Sequence, residues 1–386
     1  MAATIAVDAR ALAPPITGTG VALGETLGAI ARLDPELRWL LLSKGPPRPP
    51  VGLERARIVR ARGAARFAAT LWLRFGIADL LAREGCDLFL GSLQIGPARR
   101  PPRTRVLLHL HDLVFARHPE TLSARNRVLL RRLVPASIAS ADHVLCFSDF
   151  TRREAAELYA LPPERATVVP HGVHPRFFAV PTPAELARLR ERHRLPERFL
   201  LFVGTLEPRK NLMSFLHAHD RLPRDLQREH PLVLVGDAGW GDDAARAAVQ
   251  EREESGRLLR LGYVVDEDLP RLYAAATALV LPSLYEGFGL PVLEAMAAGT
   301  PVVCSDAPAL AEVAGGAALH FPATDVEALA AALVRVLTDA DLRDDLARRG
   351  RKRASGFTWD RAAAATLTVI RELLAASATA SLRSPA

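Results

Sequence analysis

At 386 residues the chain is too long for one ordinary core and suits two domains of about 150–200 residues each. Apolar residues make up 49% and charged residues 24%, which excludes a disordered chain and fits a globular enzyme. The net charge of +7 is uneven: residues 1–180 hold 25 Arg and Lys against 15 Asp and Glu, and the rest holds 25 against 28. A basic half implies an acidic partner such as nucleic acid, a phosphorylated substrate or anionic lipid.

The N-terminus, MAATIAVDARAL, lacks the basic-then-apolar pattern of a secretion signal and reads as a first strand. No apolar run reaches the roughly 18 residues that a membrane-spanning helix needs. Cys86, Cys146 and Cys304 are scattered and odd in number, so they fit neither a disulfide framework nor a CxxC metal site and suggest a reducing cytosol.

Short apolar runs then alternate with helical stretches. Strands are expected at 4–9, 38–43, 56–61, 87–92, 105–111, 143–148 and 166–170. A polar, proline-bounded stretch over 176–197, containing PTPAELARLRERHRLPE, reads as a connector. Further strands are expected at 199–204, 231–236, 258–264, 278–282, 301–305 and 317–321. Each ends in a turn and, usually, a helix, the rhythm of βαβ units, and their unbroken apolar character suits parallel strands buried on both faces. The fold class expected is α/β, with two doubly wound, Rossmann-like domains facing a cleft at the carboxyl ends of their strands. The boundaries expected are 1–175, the 176–197 linker, 198–358, a helix over 359–376 returning to the first domain, and a tail over 377–386.

Two segments carry the chemistry. In YEGFGLPVLEAMAAG (285–299), Glu286 precedes a Gly-Phe-Gly turn and Glu294 lies eight residues on. Gly287 and Gly289 let the backbone approach a ligand, Pro291 suits a first helical turn and Gly299 suits a C-cap. The helix start offers N–H groups to phosphate. Acids flanking an anion site suit a ligand that is phosphate in the middle and polyhydroxyl at both ends, such as a nucleotide-sugar. In GTLEPRKN (204–211), Arg209 and Lys210 are adjacent cations at a strand-to-helix junction, able to stabilise charge on a departing diphosphate. Lys210 is one of only three lysines in the chain, with Lys44 and Lys352, so an arginine-rich composition does not explain it.

These segments, with PLVLVGDAGW (231–240), LGYVVDEDLPRLYAAATALVLPS (261–283) and PALAEVAG (308–315), resemble the retaining glycosyltransferases of family 4 (group 1), of GT-B fold, in wording close to the mannosyltransferase-like members. Weaker matches are TGTGVALGETL (17–27), HLHDLVF (109–115), SDFTRREA (148–155) and VVPHGVHPRF (168–177). The resemblance implies that Glu286 contacts the donor sugar and Glu294 the nucleotide ribose. It implies that Arg209 and Lys210 hold the diphosphate, with Phe288, Gly289 and Leu290 contributing backbone, and Gly204 and Thr205 beside them. The base would lie near Gly262–Val265, at Tyr263 and Val264. His111, followed by Asp112, would stand beside the reacting sugar, and Gly18 and Gly20 would form a loop over the phosphates. Thr205 stands where many members carry Arg, and Val21 and Ala22 where many carry an aromatic.

The resemblance further implies hexose transfer with retention, from a nucleotide-sugar (GDP-mannose preferred, a UDP-sugar the rival) to a saccharide or lipid-linked saccharide in cell-surface polysaccharide synthesis. No cofactor or metal is expected. Asp266-Glu267-Asp268 contains a D-x-D, read instead as an acidic N-cap for a helix over 269–276. Gly18-x-Gly20-x-x-x-Gly24 is too far from its strand for a dinucleotide fingerprint, which disfavours an NAD-dependent oxidoreductase. A non-catalytic nucleotide-sugar-binding subunit is the other alternative. Seven arginines and one acid in 48–74 come without a nucleic-acid-binding module, so no nucleic acid is expected. The runs at 55–67 and 124–134 suit either a peripheral dock on anionic lipid, at the inner face of the membrane, or ordinary solvated helix faces.

Overall fold

A computed structural model describes residues 2–61, 63, 68–237 and 243–382. Arg62 and residues 64–67 of the basic run, residues 238–240 of the PLVLVGDAGW stretch, and residues 383–386 of the tail lie outside the described residues.

The chain divides into two compact units. Unit 1 comprises Met1–Leu113, Val128–Gly172 and Thr358–Ala386. Its sheet has strands β1 (Thr4–Asp8), β2 (Arg38–Ser43), β3 (Arg57–Arg60), β4 (Leu88–Gly91), β5 (Arg105–Leu110), β6 (His143–Cys146) and β7 (Ala166–Val168). All are parallel, in the order β3-β2-β1-β4-β5-β6-β7. Unit 2 comprises Val114–Arg127 and Val173–Phe357. Its strands are β8 (Leu200–Val203), β9 (Leu232–Val235), β10 (Leu258–Gly262), β11 (Ala278–Leu281), β12 (Val302–Ser305) and β13 (Leu319–Phe321). They too are parallel, in the order β10-β9-β8-β11-β12-β13.

Every strand falls within its expected segment. The runs LLFV, LVLV, ALVL and VVCS are buried almost throughout, because strands covered on both faces have no solvated side to mark with polar residues. The edge strands β3, β7, β10 and β13 are less buried, and the arginines of β3, RIVR, are exposed. In each sheet the strand order reverses between the first and fourth strands, β1 and β4 in unit 1, β8 and β11 in unit 2. Ligands of doubly wound sheets bind at the carboxyl ends of the strands at such a reversal.

Three expectations about organisation are revised. The 176–197 stretch is not a bare connector: its helix, Pro183–His193, belongs to unit 2. Thr182 and Glu185 form a capping box at its start, and Glu185 pairs with Arg271 at 3.0 Å on the neighbouring helix Leu269–Ala275. Val114–Arg127, expected in the first domain, belongs to unit 2. The last helix, Trp359–Leu382, extends past 376 and packs on helix Gly18–Leu33 within unit 1. The backbone of Gly172 approaches that last helix so closely that a Cβ would lie 2.2 Å from the Trp359 nitrogen. Among the described residues no helix is long and apolar enough to cross a membrane.

Candidate active site

In unit 2 the loops that leave β8 and β11 are joined. The Leu284 N–H donates to the Arg209 carbonyl at 2.9 Å, and the Asn211 amide donates to the carbonyls of Pro282, at 3.1 Å, and Ala323, at 2.8 Å. Arg209 and Lys210 lie in a short 3-10 turn, Pro208–Lys210, which Asn211 ends in the left-handed conformation, at φ 54°. Asn tolerates that region better than most residues.

Glu286 is the centre of the site and is 7% exposed. Its Oε1 accepts from the Lys210 ammonium at 2.6 Å and from the Ser283 hydroxyl at 2.7 Å; its Oε2 accepts from the Arg209 guanidinium at 2.8 Å. Burial alone would raise its pKa, but the pull of Arg209 and Lys210, with the hydrogen bonds from Lys210 and Ser283, carries it down to about 2. Arg209 also donates to the Tyr285 carbonyl at 2.9 Å and to Glu207, at 2.6 Å through its nearer nitrogen. The acid assigned to the sugar and the cations assigned to the diphosphate thus form one buried ionic cluster.

The Gly-Phe-Gly turn leads from this cluster into helix Leu290–Ala298. Gly289 has φ 109°, and a Cβ there would lie 2.5 Å from the end of the Leu310 side chain, so any larger residue would be strained there. The first turn holds Pro291 and no acid, and Gly299 closes the helix by donating to the carbonyls of Ala295 and Met296. Phe288 is buried and Leu290 half-buried. Glu294, one turn in, accepts from the Tyr273 hydroxyl at 2.9 Å. Dense surrounding protein pushes its carboxyl up to about 7, against the hydrogen bond from Tyr273 and the charge of Arg176, while Asp266 adds to the rise.

The carboxyl edge of the sheet around these groups is stripped of side chains. Gly204 and Gly236 directly follow β8 and β9, and Gly262 ends β10. A Cβ at Gly236, at φ 131°, would lie 2.2 Å from the Gly204 carbonyl oxygen. Thr205 is half-buried beyond Gly204. After Gly262, Val264 is buried while Tyr263 is 65% exposed, an aromatic face open to stacking.

Unit 1 holds the remaining candidates. His111 follows β5, and its Nε2–H donates to the Ser92 carbonyl, beyond β4, at 2.6 Å, an assignment that leaves Nδ1 as the acceptor. Its ring stacks on Phe147 at 4.8 Å, and Phe147 stacks on His171 at 3.9 Å; His109 meets Phe147 edge-on at 5.3 Å. Burial lowers the pKa of all three histidines, that of His109 to about 3, so the cluster is neutral near pH 7.

Gly18 and Gly20 were expected in a loop. Both residues lie in the first turn of helix Gly18–Leu33. Gly18 is exposed, whereas Gly20 is buried where a Cβ would lie 2.2 Å from the Ala11 carbonyl, so close helix packing accounts for that glycine. The acidic N-cap expected at 266–268 is also revised. Asp268 makes no capping bond; it pairs with Arg192 at 2.9 Å and with His193 at 2.8 Å. Helix 183–193 thus holds Asp268 in place of a cap. Among the described residues no three His, Cys, Asp or Glu side chains converge as a metal site.

Sequence reasoning missed Ser283, Asn211, Gly236 and Tyr273. A signal existed for the middle two: Asn directly after the basic pair, and Gly closing the PLVLVG run. Nothing in the sequence marked Ser283 or Tyr273.

The sequence profile of the glycosyl transferases of group 1 matches residues 185–353, and that of glycosyltransferase family 4 matches residues 16–177. The chain is 37% identical over 271 residues to the O-antigen chain mannosyltransferase B of Escherichia coli, spanning 70% of this chain and 71% of that protein. It is 35% identical over 323 residues to the MMP alpha-(1->4)-mannosyltransferase of Mycolicibacterium hassiacum, spanning 80% and 74%. Among solved structures it resembles the sucrose-phosphate synthase of Thermosynechococcus elongatus, with a TM-score of 0.76 at 23% identity over 97% of this chain and 100% of that one.

Proposed function

Because this chain belongs to the group 1 glycosyl transferases of family 4 and is a GT-B glycosyltransferase, we propose that it moves mannose from GDP-mannose to a saccharide or lipid-linked saccharide acceptor in polysaccharide synthesis, with retention of configuration. The observation that carries this reading is the cluster of Glu286, Arg209 and Lys210 at the β8/β11 reversal, beside the start of helix Leu290–Ala298. A pyrophosphate fits a half-buried Arg209, a buried Lys210 and a helix N-terminus; a carboxylate on either side fits the sugar and the ribose. The two mannosyltransferase relatives support mannose as the sugar moved.

In this reading unit 2 holds the donor. As the glycosidic bond breaks, Arg209 and Lys210 stabilise the charge growing on the departing diphosphate, and Glu286 hands them over by exchanging its own ion pairs for contacts to sugar hydroxyls. Gly289 and Leu290 offer backbone to the phosphates, Tyr263 and Val264 flank the base, and Gly204 and Thr205 leave room for it all. In unit 1, His111 offers a neutral acceptor at Nδ1. Retention places acceptor attack on the face the diphosphate leaves, with the diphosphate taking the hydroxyl proton. The two cations supply the neutralising charge, so no metal has a part. Peripheral contact with anionic lipid is assigned to the exposed Arg57, Arg60, Arg131 and Arg132 of unit 1.

A thermal-shift panel of GDP-, UDP-, ADP- and dTDP-sugars tests the donor: GDP-mannose should raise the melting temperature most. A larger rise with a UDP-sugar would replace mannose as the reading. Proton NMR of the product's anomeric signal, taken early in the reaction, tests retention.

A further inference from the structure

Tyr273 is fully buried, and its hydroxyl reaches Glu294 Oε2 at 2.9 Å. The rest of the residue is fixed. Its ring meets Phe177 edge-on at 5.9 Å, and its carbonyl accepts from the Thr300 hydroxyl at 2.7 Å. Glu294 is half-buried, and among the described residues its second oxygen, Oε1, receives no hydrogen bond. A buried phenol that spends its only donor on a helix carboxylate orients that carboxylate, because its own rotamer cannot change.

We propose that Tyr273 is a positioning residue for nucleotide recognition: it pins Oε2 of Glu294, so that Oε1 is held ready to accept the ribose hydroxyls and to reject a deoxyribose. This rests on the reading of Glu294 as the ribose-binding acid. The hydroxyls of ribose donate more strongly to a carboxylate, whose two oxygens both accept, than to its protonated form, which is neutral and turns one oxygen into a donor. The free enzyme holds this carboxyl at about 7, so nucleotide affinity is full only well above pH 7 and falls as pH drops through that value. The groups that bear on Glu294 are few. Tyr273 comes from helix Leu269–Ala275, Arg176 from the 3-10 turn Pro175–Phe178 and Asp266 from the loop after β10. Arg176 and Asp266 stand 3.9 Å apart and oppose each other. No charge from β11, β12 or helices Pro308–Ala314 and Ala340–Ala354, which also pack on the Glu294 helix, is among the causes of its shift. The Tyr273 hydrogen bond lowers the carboxyl, so its loss moves the midpoint to higher pH.

The experiment is calorimetric titration of the full chain with GDP and UDP, each beside its 2′-deoxy form, between pH 5.5 and 8.5. The wild type, Tyr273→Phe, Glu294→Gln and the double variant are compared, with melting curves confirming that each folds. Tyr273→Phe keeps the buried ring and removes only the hydroxyl. It should weaken binding of the preferred nucleotide roughly tenfold at pH 7, lose most of the ribose-over-deoxyribose preference, and shift the pH midpoint upward. KM for the donor should rise more than kcat falls. In the Glu294→Gln background the same change should do nothing further. If Tyr273→Phe weakens binding equally at every pH and leaves ribose preference intact, Tyr273 is merely structural and the proposal is overturned. If Glu294→Gln itself keeps full ribose preference, the ribose reading of Glu294 fails, and the proposal with it.

Discussion

Glu286→Gln keeps the shape of the side chain and removes its charge, leaving Arg209 and Lys210 facing a neutral amide. In the folded protein the Glu286 carboxyl sits at about 2 against an ordinary 4.5. That gap of about 2.5 pH units corresponds to ~3 kcal/mol of stability. The folded pKa lies below the unfolded one, so this stabilisation is complete above pH 4.5 and disappears as pH falls towards 2. The variant should therefore be less stable than wild type by about 3 kcal/mol at pH 7, in line with the cost of removing one partner from a buried pair. For a unit of roughly 200 residues this lowers the melting temperature by about 6–12 °C. The gap should narrow steadily as the buffer is taken down to pH 3. Differential scanning calorimetry of both proteins across that range is the assay. A second arm adds inorganic pyrophosphate, which should raise the melting temperature of the variant more than that of wild type, because Lys210 has lost its ion pair and Arg209 keeps that with Glu207 but not that with Glu286. A melting gap that is absent at pH 7, or unchanged at pH 3, would refute the electrostatic account. Equal stabilisation of both proteins by pyrophosphate would refute the assignment of the two cations to the diphosphate.

Lys210→Ala and Glu286→Ala should each lower turnover by ~10²-fold or more, measured as nucleoside diphosphate release in the presence of acceptor; near-wild-type turnover in both would remove them from the mechanism. Excess EDTA should leave the wild-type rate unchanged, and a rate restored only by divalent cation would show that Arg209 and Lys210 are insufficient. Gly236→Ala places a Cβ against the Gly204 carbonyl and asks alanine to adopt φ 131°, so urea denaturation should register a loss of about 2 kcal/mol or more; an unchanged midpoint would mean that the strand ends relax freely. Reversing Arg131 and Arg132 to Glu should abolish sedimentation with vesicles containing phosphatidylglycerol, and undiminished sedimentation would place lipid contact elsewhere.

The strands were legible because parallel, doubly covered strands need short unbroken apolar runs, and FLLFVG, PLVLVG and ALVLP are such runs. The E-x7-E spacing and the Arg-Lys pair were legible for a similar reason: turn, helix start and charge lie within a few residues of one another. Local signals carried no information about what crosses between segments. That Glu286 binds Arg209 and Lys210, some 77 and 76 positions away, follows from β11 lying directly beside β8, so that their loops emerge together. A similar distance in sequence hid the hold of Arg192 and His193 on Asp268, and 21 positions with a strand between them hid the hydroxyl of Tyr273 on Glu294. The approach of the Ala11 carbonyl to Gly20, nine positions away, was equally hidden. The sequence by itself determined which residues form strands, turns and helix starts, since those depend on neighbours along the chain. The tertiary structure decided which charges meet and which carboxyl is held ionised, since Coulomb energy and desolvation depend on distances that only the packed sheets set.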